Sequence, residues 1–335
     1  MENLTIDCGI DVAAQTLAVA CSAGAGITAF ELPNTPAGHK KLAQRLTTGG
    51  RNARVCLEAT GVYHLNLALA LLAHPDIGVM VVNPRRIKDF SNASAVRTRN
   101  DQSAAVTILE FLQKMGFEPW TAPSTEAVQL RSVGRRIAAL NKVKRTEQCR
   151  NHAYAASCGA APRVHKSSKA MIRFLDREIE QLRAFARQLI EADRQLRETS
   201  RLLRTVKGIG WTTTIQLMAE LVYLPKDMTP TQWVGMAGLD PCKHTSGTSV
   251  DKKPRISKLG NARIRHALFM PAMSLLRHCP NAQSLRADLE RRGLTGMQIV
   301  TAVMRKLLRC IHGMISTNSP FDPARFRALP TTRTA

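Results

Sequence analysis

The stretch LTIDCGIDVAAQTLAVACSAGAGITAFEL (residues 4–32) decides the reading of the N-terminal half. Three short β-type runs, Leu4–Val12, Thr16–Cys21 and Ile27–Leu32, are separated by Ala-Ala-Gln and by Ala-Gly-Ala-Gly. Runs of this length bounded by small residues read as strands. Parallel neighbours need a crossover of about a dozen residues, so links this short predict an antiparallel meander.

Outward from that meander the pattern alternates. Asn34-Thr35-Pro36 opens a helical stretch to about Leu46; a strand at Arg54–Leu57, a helix near Val62–Ala73, a strand at Val79–Val82 and a helix from about Asp101 to Met115 follow. The order βββαβαβα predicts an α/β domain of the RNase H-like type over residues 1–124, with a plain α/β binding domain as the alternative.

From Thr125 the period changes. Leu130, Val133, Ile137 and Leu140 recur at 3-4-3 spacing, and after a break at Cys158-Gly159-Ala160-Ala161-Pro162 the spacing returns in Ile172, Leu175, Ile179, Leu182, Ala186, Leu189 and Leu196, skipping only Asp193. This predicts a coiled-coil arm over residues 125–200, most simply a helical hairpin; a helix pair packed on its own domain is the alternative. Residues 201–335 read as a mainly α domain. Its opening, Lys207-Gly208-Ile209-Gly210-Trp211, resembles a helix-hairpin-helix turn, in which backbone N–H groups at a helix start can approach a phosphate.

The 48 Lys+Arg against 25 Asp+Glu give a net charge of +23, unevenly spread. Residues 1–125 carry 11 against 10, and residues 131–207 carry 19 against 7, a net of +12. A near-neutral domain followed by a basic arm and a basic C-terminal domain implies a polyanionic partner, nucleic acid before membrane. No apolar run approaches the roughly 20 residues of a bilayer span, and the N-terminus lacks the pattern of an export signal. The eight cysteines include no CxxC pair and the nine histidines no metal spacing, which fits a reduced, cytoplasmic protein without structural zinc.

Three acids stand where phosphoryl-transfer chemistry would need them. Asp11 lies on the first strand, Glu58 ends the fourth, and Asp101 opens the last helix of the domain. In an RNase H-like sheet these positions converge at one end of the central strands, and carboxylates gathered there hold one or two Mg²⁺ ions that clamp the attacking and leaving oxygens.

Gly-Ile-Asp, Leu-Glu-Ala-Thr-Gly-Val-Tyr, Val-Asn-Pro and Arg-Asn-Asp-Gln-Ser, followed in order by Lys-Gly-Ile-Gly, Ala-Gly-Leu-Asp-Pro, Ser-Gly-Thr-Ser, Arg-Ile-Ser-Lys-Leu-Gly-Asn and Leu-Phe-Met-Pro-Ala-Met, resemble the DEDD transposases of the insertion sequence one-ten family, whose relatives include pilin-gene invertases. The resemblance covers nearly the whole chain. It implies a RuvC-like domain, a coiled-coil linker, and a C-terminal transposase domain whose serine attacks DNA to give a phosphoserine intermediate. It also implies an active site shared between subunits of a homodimer or homotetramer, and a bridge-type guide RNA that pairs with donor and target DNA. Carried over by position, the metal acids are Asp11, Glu58 and Asp101, and the nucleophile is Ser246, with Ser249 as its rival in the same loop. Lys243, Lys252, Lys253, Arg255 and Lys258 surround that loop with cations suited to a phosphodiester, and Lys207 precedes the glycine turn.

One departure stands out. The family's fourth acid falls three residues after Asp101, where this chain has Ala104. Alanine cannot ligate a metal, and Glu110 lies more than two helical turns after Asp101. The reading taken is an inactivated chain, natural or engineered, in an otherwise intact motif; the alternatives are that three acids suffice, or that the chain is a non-catalytic nucleic-acid binder. A protein-directed DNA invertase and a Holliday-junction nuclease are the other readings, the Ser246 loop arguing against the second.

Overall fold

The computed structural model describes residues 5–23, 26–59, 63–93, 101–157, 161–224, 228–246 and 250–326. The chain forms two compact units, Met1–Ala122 and Pro123–Ala335.

In the first unit, β1 (Thr5–Val12), β2 (Thr16–Ala23) and β3 (Gly26–Pro33) form the expected antiparallel meander, and β4 (Asn52–Glu58) and β5 (Ile77–Val82) extend it in parallel, giving the order β3-β2-β1-β4-β5. Strand alternation sorts the side chains into two layers. Ile6, Cys8, Ile10, Leu17, Val19, Val55 and Leu57 bury against Leu42 and Leu46 of α1 (Pro36–Thr47) and Leu67 and Leu71 of α2 (Tyr63–Leu72). On the other face Ala18, Ala20, Cys56, Met80 and Val82 receive α3 (Pro84–Ala93) and α4 (Asp101–Met115). The sheet is thus covered on both sides, as a mixed sheet with a parallel half requires.

α3 is absent from the sequence reading. It contributes Ile87 and the partly buried Phe90, two apolar contacts in ten residues, too few for a recognisable period.

The position of α4 follows from Gly9. A Cβ there would lie 2.3 Å from the Leu109 nitrogen and 2.4 Å from the Ala105 oxygen, so the helix backbone rests directly on the strand. Along the α4 face β1 and β4 match Asp7 with Arg54 and Gly9 with Cys56; Arg54 binds the Asp7 carboxylate through two hydrogen bonds of 2.7 and 2.9 Å.

The second unit begins with the long helices α5 (Thr125–Ala156) and α6 (Pro162–Ala192). Residues 158–160 of the expected break lie outside the described residues. Leu130, Val133, Ile137 and Leu140 of α5 share one core with Leu175, Ile179, Ala186 and Leu189 of α6, so this seam is filled within the chain. The same core runs on into α8 (Trp211–Leu221), α10 (Ala262–His278) and α12 (Gly296–Ser316). The skipped register at Asp193 is a helix break: Asp193 ends α6 and caps α7 (Arg194–Leu203), its carboxylate accepting from the Leu196 N–H at 2.9 Å. Between α9 (Pro230–Met236) and α10 lies a two-stranded hairpin, β6 (Pro241–Ser246) and β7 (Val250–Ile256), and α11 (Pro280–Arg291) and α13 (Pro323–Phe326) complete the unit. No described helix is long and apolar enough to cross a membrane.

Gly9→Ala should cost about 3 kcal/mol or more of stability, because the added methyl meets helix backbone, which cannot swing aside as a side chain would. Urea unfolding of the wild type and the variant measures this; an unchanged midpoint would show that α4 is not seated as described.

Candidate active site

Asp11 and Glu58 stand one residue beyond the matched pair Ile10 and Leu57, at the C-terminal ends of adjacent parallel strands. Ile10 and Leu57 point to the α1–α2 core. By alternation Asp11 and Glu58 project to the opposite face, the one α4 covers. Both are half-buried. Carboxylate oxygens at adjacent strand ends are the hard donors that a divalent cation takes. The two carboxylates therefore fit a metal such as Mg²⁺.

Asp101 is the first residue of α4; its side chain lies outside the described residues, as do residues 60–62 and 94–100 of the flanking motifs. Ala104 is half-buried one turn further, next to the fully buried Ala105 that packs on the sheet. Among the described residues no group of three or more His, Cys, Asp or Glu side chains converges. A cavity of about 660 Å³, lined by Asn34, His39, Tyr63, Asn66 and Leu69, opens on the α1–α2 side, so the acids lie at the sheet's strand ends and not in it.

Ser246 was expected in a loop and instead ends a strand. It pairs with Val250 across the β6–β7 hairpin. Residues 247–249, including Ser249, and the side chains of Lys243, Ser246, Lys252 and Lys253 lie outside the described residues. Arg255 and Lys258 are exposed. The base of this hairpin is closed by two chain segments. The Ser257 N–H donates to the Asp240 carbonyl at 2.9 Å and its hydroxyl to the Asp240 carboxylate at 2.6 Å; the Lys258 N–H reaches the Gly238 carbonyl at 3.1 Å, and the Asn261 N–H the Met236 carbonyl at 2.7 Å.

Behind that base sits a buried carboxylate that sequence reading did not find. Glu220, near the end of α8, is only 3% exposed. Arg135 of α5 donates to both its oxygens, at 2.8 and 3.0 Å, and the Asn261 amide donates to it at 2.7 Å. The same Asn261 caps α10 by accepting from the Arg263 and Ile264 N–H groups. Glu220 thus ties α5, α8 and the hairpin base together. Burial alone would push its carboxyl pKa up, but the hydrogen bonds from Arg135 and Asn261 overcome this and hold it below the ordinary range. Its partners lie 85 and 41 residues away in sequence, so no local pattern signals the cluster.

The glycine turn divides in two. Gly208 has φ +99°, and a Cβ there would lie 2.5 Å from the Ser274 Cβ of α10, so this residue answers to internal packing. Gly210 caps α8 without a side-chain hydrogen bond, and a Cβ on it would meet nothing within 4 Å. Only Gly210 is therefore a clean probe of a phosphate contact. Lys207 is exposed beside it.

Glu220→Ala should destabilise the second unit by about 2–4 kcal/mol, discounted for the partial exposure of Arg135. Because the folded carboxyl titrates below its unfolded value, its stabilisation is complete above the unfolded pKa and disappears as pH falls through the folded one. The gap in melting temperature between wild type and Glu220→Gln should accordingly narrow from pH 7 to pH 3; a constant gap would contradict the ion-pair account.

Residues 8–154 match a transposase model of the DEDD, IS110 type, and residues 200–287 match the model described as the transposase IS116/IS110/IS902 family. The pilin gene-inverting proteins of Moraxella bovis and Moraxella lacunata are each 29% identical over 267 residues, covering 79% of this chain and 81% of theirs. A T. thermophilus RuvC structure, solved in complex with a Holliday junction substrate, aligns over 35% of this chain and 99% of its own at 15% identity and a TM-score of 0.26. With two transposase models matched in series along its length, the chain belongs to the IS110 family of transposases, the insertion sequence one-ten group.

Proposed function

We propose that this transposase is an RNA-guided DNA recombinase, in which base pairing to a bridge-type RNA selects donor and target DNA while the protein supplies backbone affinity and chemistry. The observation that carries the chemical part is the pair Asp11 and Glu58 at the ends of adjacent parallel strands. Asp11, Glu58 and Asp101 would hold Mg²⁺, which when bound supplies charge stabilisation to the oxygens of a phosphodiester. Ser246 is the proposed nucleophile. Its Oγ–P bond forms as the bond from phosphorus to one nucleoside oxygen breaks, the hydroxyl proton leaves to a base or solvent, and the freed nucleoside hydroxyl takes a proton. Attack by the hydroxyl of another strand reverses the sequence and rejoins the DNA. Lys243, Lys252, Lys253, Arg255 and Lys258 would neutralise the phosphates around the hairpin, and Lys207 with the Gly210 start of α8 would grip the backbone.

The basic stretch of residues 131–207 suits nucleic-acid partners, the guide RNA among them, and a homodimer or homotetramer would join a serine of one subunit to the acids of another. The second reading is protein-directed site-specific DNA inversion, favoured by the names of the Moraxella relatives. The third is a nucleic-acid-binding form without activity, favoured by Ala104.

The chain as it stands should bind DNA and cut it slowly or not at all. Ala104→Asp should restore Mg²⁺-dependent strand cleavage with a covalent protein–DNA species on denaturing gels. In that background Ser246→Ala should abolish the adduct and Ser249→Ala should leave it. Full activity without Ala104→Asp would show that three acids suffice, and an adduct that survives Ser246→Ala would remove the nucleophile.

Purified protein should also carry one enriched, structured RNA that matches sequence beside its gene. A heterogeneous population without an enriched species would favour the inversion reading.

A further inference from the structure

Within the basic stretch, α7 carries a row of arginines to which the reading above gives no individual role. Arg197 and Arg201 are four residues apart and Arg204, the C-cap, three further on, so all three share one side of the helix. They are exposed, whereas Leu196, Thr199, Ser200, Leu202 and Leu203 are buried on the other side. Among the described residues none of the three arginines has a carboxylate partner, and the acid of this helix, Glu198, pairs instead with Arg194 at 3.0 Å.

The row does not end with the helix. The Arg204 guanidinium lies 4.4 Å from the ring centroid of Trp211, and that of Arg187 from α6 lies 5.1 Å from the same ring. Attraction to the indole holds two like charges against one ring, an arrangement that a polyanion stabilises. Seven residues of helix rise about 10 Å, enough for about three phosphates of one strand at ~3.4 Å of duplex axis each. With guanidiniums packed against it, the indole is a poor platform for an unpaired base. A straight row of cations suits the phosphate edge of a duplex, where contacts position without reading sequence.

We propose that Arg187, Arg197, Arg201 and Arg204, the first and last organised on Trp211, form a second backbone-binding site for duplex DNA, apart from the cations of the β6–β7 hairpin. This rests on the reading that the chain binds DNA.

The test is the salt dependence of binding by the full chain to a labelled duplex of about 30 base pairs and arbitrary sequence. Arg197→Gln with Arg201→Gln is compared with Lys40→Gln with Lys41→Gln, which removes equal charge from exposed positions of the near-neutral first unit. The arginine pair should bind several-fold more weakly and flatten the log–log salt slope by about 1.8, at about 0.9 per phosphate contact, while the lysine pair tracks the wild type. Arg201→Gln alone should give about half that change, which guards against misfolding of the double variant. An unaltered slope for the arginine variants, or equal losses in both pairs, would overturn the site. A slope change with a hairpin RNA of similar length but none with the duplex would assign the row to RNA and overturn it as a DNA site. A wild type that binds no duplex would fail the broader reading, and this one with it.

Discussion

Everything in the N-terminal unit is arranged around the absence of a side chain at Gly9. The Ala105 oxygen and Leu109 nitrogen of α4 occupy the volume a Cβ would need, and that approach fixes how α4 crosses the sheet. The consequences run along the strand. Two residues toward the N-terminus, Asp7 meets Arg54 in an ion pair; two residues toward the C-terminus stands Asp11, beside Glu58. A single face of β1 and β4 thus holds an ion pair, a steric contact and two carboxylates. The helix that begins with Asp101 is seated by the middle of these three.

The elements read from sequence were those whose burial is periodic. β1 to β5, α1, α2, α4 and the two long helices have apolar residues at intervals of two, or of three and four, and their bounds fall within a few residues of expectation. The β6–β7 hairpin escaped because PCKHTS and VDKKPRI have no apolar alternation; two polar strands pairing only with each other have no core to declare. α3 escaped for want of apolar contacts. The acids Asp11 and Glu58 were legible because strand ends can be counted from local pattern. Glu220 was not, since a buried carboxylate is recognisable only through partners brought in from distant helices. The glycine turn carries a constraint that its sequence does not announce: Gly208, expected as a backbone contact, also leaves no room for a Cβ beside Ser274.

Charge is handled differently in the two units. The first is near neutral, with ion pairs on the sheet, α3 and α4, while the second carries most of the net charge on exposed arginines and lysines. Within that excess Glu220 is set apart: a carboxylate buried among arginines, with hydrogen bonds sufficient to outweigh its own desolvation. It links α5, α8 and the start of α10 behind a hairpin whose own strands are polar.

The ends of the α5–α6 hairpin are joined at their root. Ser124, which caps α5, donates its hydroxyl to Asp193, which ends α6 and caps α7. Nearly seventy residues therefore leave and return through one point, the geometry in which an inserted segment is best tolerated. Beyond Leu140 the outgoing helix contributes nothing further that is fully buried among the described residues. The outer part of the hairpin is in that sense modular, a spoke whose length can be altered by adding or removing matched turns from both helices. A change of span made there, as on a calliper, leaves the Ser124–Asp193 junction untouched.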